Sequence, residues 1–600
     1  MYEINFIRCY FVNKINISII YILSSMTRKQ IIIIGGGIAG LSAAHFLSDY
    51  SDLEIILFEE QDDVGGQARS MFGNYCYIEY SWRIFGKVYH NINKIIDKIG
   101  ANNNFDLLEN PCIVNSASSV YYGGLSYINL AKILFKNTDY KLFNKLLDLS
   151  TISKDRAINM YDDVNALNYF NKDPIIQSIM GPFLGMDANK ISLSGYYKNI
   201  LSTCDTAKYK FTPTNTRISK HPTQESLFKP WLKYLTSKGV KIYTKSKLVD
   251  IDIHDNRIKS ITIKNNNKFL NILANEYIFT CSLKSLNKII NTNSYFTNKN
   301  ITYSLKQLEN GLQLYYTINL YFSIKLENKI DLKCDEFVLT DTKWKLIVQR
   351  KHLWNDSILN KCSKNNKQIK DVFNIGFLDH NKGVLFNKIL SKCSKQEALQ
   401  EGIYQFQTND FVKNIFRQYN TTFEEVFVGY EDWFEFRNDE KNNLISDNPK
   451  FSTNVGLLKF MPKNAHPNDL PNNMFLGGYY VNSTMGGVSM EASCETGLCA
   501  GLLVVEKYKK KIIDYPIYHT NEYMTRLTSG LCYIDKYLYK NNIINLSEII
   551  PPVILLFLYF ACIILIFIIL VNNLYRLLYT YITHTLRHEL ITDVKYRRIK

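Results

Sequence analysis

The apolar positions of this chain fall into runs whose period changes along the sequence. Ile31 to Ile34 is a short, unbroken apolar run, the pattern of a parallel strand buried on both faces. Ala43-Ala44-His45-Phe46-Leu47 continues it as a helix, and Leu53 to Phe58 is a second strand-like run. Strand-like and helix-like pieces keep alternating to about residue 510, which predicts an α/β fold. Residues 264–276 and 363–370 are rich in Asn and Lys and read as loops. Near the end the pattern changes. Ile549 to Tyr575 carries no charge, and Val553 to Val571 is apolar at all 19 positions. As a helix that stretch is about 28 Å long, close to the ~30 Å hydrocarbon core of a bilayer. Pro551 and Pro552 suit its first turn, where a missing N–H costs little. Soluble helices keep a polar face, and this one has none, so the pattern predicts a single-pass C-terminal anchor over 552–572 with a basic tail at 573–600.

Length and composition sharpen this picture. At 600 residues the chain exceeds one ordinary core and predicts two or more lobes. Residues 1–25 are apolar but interrupted by Arg8 and Lys14, and their longest uncharged stretch is too short to cross a bilayer. They read as an extension or a possible targeting segment, with Met26 a natural start just ahead of the first strand. The 12 cysteines are scattered and form no C-x-x-C, which argues against a zinc ribbon or a disulfide framework and suits a reducing compartment. The net charge of +16 is drawn partly from the two ends, and its longest run in the middle is Lys509-Lys510-Lys511. Without a basic stripe it does not predict nucleic-acid binding. His45, His90 and His352 stand alone, without a partner at metal-ligand spacing, so no metal site is expected.

Candidate chemistry begins after the first strand. Gly35, Gly37 and Gly40 fill the G-x-G-x-x-G pattern. The first glycine makes a tight turn, the second lets the backbone approach a pyrophosphate, and the third lets helix and strand pack closely. The pyrophosphate then lies on the helix N-terminus. Glu59 ends the second strand 19 residues past Gly40, where an acidic side chain takes ribose hydroxyls.

NAD and FAD both use this unit, and the residues that follow separate them. Val64-Gly65-Gly66-Gln67-Ala68-Arg69-Ser70 resembles the second fingerprint of the FAD-dependent amine oxidase and phytoene desaturase superfamily, with Gln67 where that family has Arg or Lys. Lys247-Leu248-Val249-Asp250-Ile251 resembles the stretch whose Val main chain meets the adenine. Met474 to Val481, followed by Ser489 to Gly497, resembles the C-terminal flavin motif, with Tyr479 where the family has an acid. The resemblance runs from about Met26 to Lys510. It implies a Rossmann-like FAD-binding domain (26–110, 216–282 and 456–510) interleaved with an α+β substrate domain (111–215 and 283–455), joined by a linker at 511–551 to the anchor. It implies FAD held by Gly35, Gly37, Ile38, Ala39, Gly40, Glu59, Glu60, Gly65, Gly66, Gln67, Arg69, Val249, Gly478, Tyr479, Met490 and Glu491.

The implied activity is hydride transfer from an organic substrate, lipophilic or an amine, to flavin N5. The resemblance of Ser81-Trp82-Arg83-Ile84-Phe85 to a desaturase segment places Arg83 near the flavin. Asp341, Trp344 and Trp354 resemble substrate-domain strand positions, the two aromatics reading as core. The family's amine oxidases carry a lysine on a central strand of the substrate domain. The matching run here, Gln313 to Phe322, has none, and Lys345 is the substitute from a neighbouring strand. This favours a desaturase-like enzyme over a true amine oxidase. The alternative is a non-redox or cofactor-free scaffold anchored to the membrane. Scattered cysteines and the absence of a clear signal peptide place the flavin domain on the cytosolic side.

Overall fold

The computed structural model describes residues 17–19, 28–81, 83–86, 88–107, 111–116, 119–122, 140–172, 185–187, 189–204, 217–326, 336–351, 354–378, 381–485, 489–510, 512–514, 517–519 and 528–597. Lys29–Ile34 is the middle strand of a five-stranded parallel sheet. Leu53–Phe58 and then Lys241–Tyr243 lie to one side, and Glu276–Phe279 and then Met474–Leu476 lie to the other. The unbroken isoleucine run follows from burial on both faces. Ile31 and Ile33 join the core under the helices, and Ile32 and Ile34 join the core on the opposite face. The helices Ile38–Leu47 and Met490–Lys509 cover the first face. They lie in direct contact at Gly497, where a Cβ would come within 2.1 Å of the Ala39 carbonyl oxygen. The antiparallel strands Ser246–His254, Arg257–Asn265 and Lys268–Ile272 back the second face. Ile17–Ile19, expected within an extension or targeting segment, adds a fourth strand parallel to Lys268–Ile272.

A seven-stranded sheet forms the second layer system. Its order is Phe427–Asp432, Tyr315–Phe322, Asp371–Leu378, Leu346–Arg350, Glu336–Leu339, Pro111–Ser116 and Ser119–Tyr122. Its core is rich in aromatics and includes Trp344, Trp354 and Trp433, all fully buried. Two elements tie it to the dinucleotide-type half. Glu79, fully buried, accepts from Lys351 Nζ at 2.6 Å and from the Thr223 hydroxyl at 2.6 Å. Cys76 and Cys362 form a disulfide. The scattered cysteines predicted none. The two residues lie 286 positions apart, so no local spacing could reveal them, and only the fold brings Cys76 onto the second core.

The chain divides into two compact units: Met1–Thr138 with Ala157–Glu522, and Asp139–Arg156 with Tyr523–Lys600. Both sheets belong to the first. The second is made of the helices Tyr140–Thr151, Ser529–Lys540 and Pro552–Arg597. Residues 511–551, expected as a linker, therefore carry a helix, and the last helix continues past 572 into the basic tail. Pro552–Tyr579 is long and apolar enough to cross a membrane.

Candidate dinucleotide site

The glycine turn leaves the end of Lys29–Ile34. Gly35 adopts φ +106°, and its N–H donates to the Phe58 carbonyl at 2.8 Å. Gly40 is required by the protein itself, since a Cβ there would lie 1.9 Å from the Gly35 carbonyl oxygen and 2.7 Å from Thr280 Oγ1. Gly37 is not. Its φ is an ordinary −73°, and the nearest atom to an added Cβ is Gly66 Cα at 3.9 Å. It is also the N-cap of Ile38–Leu47, a wholly buried helix with no capping side chain and no acid in its first turn. Such an end needs an acceptor for its free N–H groups. Ile38 and Ala39 open that turn.

Five of the expected residues converge here. Glu59 accepts from the Gly36 N–H at 2.6 Å and the Gln61 N–H at 2.8 Å. Burial pushes its carboxyl above the usual carboxylate range, and those two N–H groups oppose the push. Gly65 donates to the Gly36 carbonyl at 2.8 Å, and Gly66 faces Gly37. Val249 falls at a register shift between Leu248 and Asp250, so a β-bulge leaves its main chain outside the ladder. Gly478 meets the helix Met490–Lys509, its N–H donating to Thr496 Oγ1 at 3.0 Å.

Other expected residues serve the protein first. Gln67 Nε2 donates to the Asn448 and Pro449 carbonyls at 3.0 and 3.1 Å, so its amide joins the second glycine loop to the segment before Lys450. Arg69 stands over the rings of Trp433 and Phe434 and reaches the Asp63 carbonyl at 3.4 Å. Glu60 is exposed and pairs with Lys247. The Tyr479 hydroxyl accepts from the Leu283 N–H at 3.1 Å, where the family's acid was expected. Met490 opens the helix Met490–Lys509. Glu491 accepts from the N–H groups of Asn91 and Ile92 at 2.7 and 3.0 Å, capping the helix His90–Lys98. Burial pushes its carboxyl up to about 8 against the pull of those donors.

The two catalytic candidates separate. Arg83 is buried, and its guanidinium donates to the Ala68 and Gln67 carbonyls, which makes it a clamp on the second glycine loop. Lys345 lies in the turn before Leu346–Arg350 at φ +52°, and its Nζ donates to the Thr340 carbonyl. It is a turn residue. His45 packs on Trp231 and Tyr234, and Trp82 and His352 lie outside the described residues. Among the described residues no cluster of three or more His, Cys, Asp or Glu is placed to hold a metal ion.

The lysine that sequence reasoning missed is Lys450. Its short strand pairs with Leu312–Gln313, placing it opposite Gln313 at the mouth of the strand expected to carry one. Its Nζ lies 4.6 Å from the Tyr315 ring centroid. Among the described residues it has no carboxylate partner. Burial, with the charge of Arg83 behind it, lowers its ammonium to about 8. Tyr80, Tyr315, Trp433 and Phe436 form an aromatic wall nearby, with Tyr80 donating to the Asn448 carbonyl at 3.3 Å. No spacing marks Lys450, because only strand pairing brings it here.

Residues 33–99 match the sequence profile of the NAD(P)-binding Rossmann-like domain. The chain is 22% identical over 294 residues to zeta-carotene desaturase of Synechocystis sp.. It is 21% identical over 266 residues to carotenoid phi-ring synthase of Chlorobaculum tepidum. The matches cover 44% and 40% of this chain, and the chain spans 60% and 40% of those two relatives. The fold is that of cyclohexylamine oxidase from Brevibacterium oxydans (TM-score 0.50, 13% identity) and of an oxidoreductase from Methanosarcina mazei (0.51, 12%). Each alignment covers 80% of this chain and 100% of the other.

Proposed function

We propose that the chain is an FAD-dependent oxidoreductase that removes two hydrogens from a small lipophilic molecule, as a carotenoid desaturase does. The observation that carries the cofactor is Gly37. A glycine with ordinary backbone angles and room for a Cβ, at an uncapped buried helix end, fits the approach of a pyrophosphate. Gly35, Gly37, Gly40 and the N–H groups of Ile38 and Ala39 hold that group. Glu59, with one N–H on each oxygen, keeps lone pairs for ribose hydroxyls. The main chain of Val249 takes the adenine edge. Gly65, Gly66, Gly478, Tyr479 and Met490 line the remainder. Gln67, Arg69, Arg83 and Glu491 are positioning residues, and Glu60 stays at the surface. Bound there, FAD supplies a two-electron acceptor.

The chain's own part is orientation and proton handling. Tyr80, Tyr315, Trp433 and Phe436 offer an apolar wall for a polyene. Removing hydrogens from adjacent atoms releases a proton, and Lys450 Nζ, neutral above about pH 8, is the acceptor. The similarity to zeta-carotene desaturase favours a hydrocarbon substrate. Lys450 favours a second reading, an amine substrate, since the same Nζ would accept the ammonium proton. The test is anaerobic: the purified protein should show a flavin spectrum, and a polyene in detergent micelles should bleach it. Bleaching by alkylamines alone supports the second reading. A protein without flavin, or with flavin that neither substrate bleaches, supports the scaffold alternative.

The helix Pro552–Tyr579 anchors the enzyme in a bilayer. The Cys76–Cys362 disulfide suits an oxidising space. The tail beyond the span bears Arg587, Lys595, Arg597, Arg598 and Lys600 against Glu589 and Asp593. Basic flanks stay cytosolic, so the tail faces the cytosol and the catalytic unit the other side, in place of the cytosolic placement read from the scattered cysteines. Protease added to sealed membranes should then cut the tail and spare the catalytic unit.

A further inference from the structure

The second unit buries an ion pair and leaves a stripe of large apolar side chains exposed. The helix Ser529–Lys540 turns Leu531, Cys532 and Asp535 inward. Asp535 is buried and pairs with Arg156 Nε at 2.8 Å, both side chains 3% exposed. It also accepts from the Ser153 N–H at 2.8 Å, and Arg156 donates to the Ile543 carbonyl at 2.6 Å. The opposite face carries Tyr533, Ile534 and Tyr537, exposed by 56%, 44% and 68%. These positions form one stripe, since residues four apart share a helix face. The chain continues with Ile543, Ile544 and Ile549, exposed by 46%, 52% and 65%, and enters the membrane-length helix at Pro552.

A helix facing water places its charges out and its apolar residues in. This one buries an ion pair, which carries a desolvation cost, and shows apolar side chains along a stripe that ends three residues before the span. Tyrosine concentrates where lipid headgroups meet water, and a helix lying in that layer buries its apolar face among them. We propose that Tyr533, Ile534, Tyr537, Ile543, Ile544 and Ile549 sit in the headgroup layer of the same bilayer, so that the second unit is a platform laid on the membrane as well as a tether through it. The proposal rests on the reading of Pro552–Tyr579 as a bilayer span.

The test uses the full chain in phosphatidylcholine vesicles with an environment-sensitive dye on one cysteine at a time. Cys562, exposed in the span, marks the anchor. Tyr537→Cys and Ile544→Cys, each in a Cys562→Ser background, mark the platform, and Glu440→Cys on an exposed turn is the aqueous control. The Cys562 label should lose its emission to nitroxides deep in the acyl chains. The platform labels should lose theirs to nitroxides near the headgroups and resist aqueous iodide, which should quench the control. Platform labels quenched by iodide like the control, with Cys562 still quenched from within the lipid, overturn the platform and leave the span standing. A Cys562 label untouched by deep nitroxides removes the span and the platform with it. Protection from iodide that disappears as the protein is diluted in lipid assigns the stripe to a second copy of the chain and also overturns the proposal.

Discussion

Gly37 and Gly40 stand three residues apart in one motif, and the structure gives them opposite reasons to be glycine. At Gly40 an added methyl would lie 1.9 Å from the Gly35 carbonyl oxygen, a backbone atom that cannot step aside. Gly40→Ala should therefore destabilise the fold by about 1–3 kcal/mol or more, the usual cost of overpacking. For a domain of this size each kcal/mol lowers Tm by about 2–4 °C. At Gly37 the methyl meets nothing closer than 3.9 Å, and the φ of −73° suits alanine. The weaker N-cap costs ~1 kcal/mol at most, offset by a stiffer unfolded chain. Gly37→Ala should thus leave the flavin-free protein within a few degrees of the parent. Its methyl would occupy the pyrophosphate's approach. Losing one hydrogen bond to a charged group costs about 1.5–3 kcal/mol, so flavin should be bound roughly ten to two hundred times more weakly. Circular dichroism melts of flavin-free protein and flavin retained on spin filtration read the two quantities separately. The reasoning fails if Gly37→Ala melts as low as Gly40→Ala, or if it keeps flavin at the parent's affinity.

Three further outcomes follow from the same geometry. Because burial lowers Lys450 to about 8, turnover should rise with pH through that value, and Lys450→Met should lose this limb while flavin stays bound; a limb that survives assigns the proton to another group. Glu491, raised to about 8, stays protonated in the folded protein while its unfolded form ionises above pH 4–5, so its contribution to stability is full below that range and fades towards pH 8. The Tm difference between parent and Glu491→Gln should shrink or reverse over that window, and a pH-independent difference would rule this out. Cys76→Ser should lower stability by about 2–4 kcal/mol, and non-reducing peptide mapping should recover Cys76 joined to Cys362; finding both thiols free would refute the pairing.

What the sequence determined is local. The isoleucine run, the spacing of Gly35, Gly37 and Gly40, and Glu59 at the end of the next strand are adjacent in the chain, so the chemistry that shapes a strand, a turn and a helix end shows in their order. The apolar stretch from Val553, long enough to cross a membrane, is legible for the same reason: its pattern is read residue by residue along the chain. Lys450 is decided otherwise. It lies more than 400 residues from the first glycine and reaches the site only because its strand pairs with Leu312–Gln313 and Gln67 holds the residues before it. The Arg83 clamp, the cap that Glu491 places on His90–Lys98 and the Cys76–Cys362 bond likewise join distant segments. A carboxylate is the same letter whether it meets a ribose or the end of a neighbouring helix. Its partner is chosen by strand order and by the depth at which it is buried, and these exist only once the chain has closed on itself.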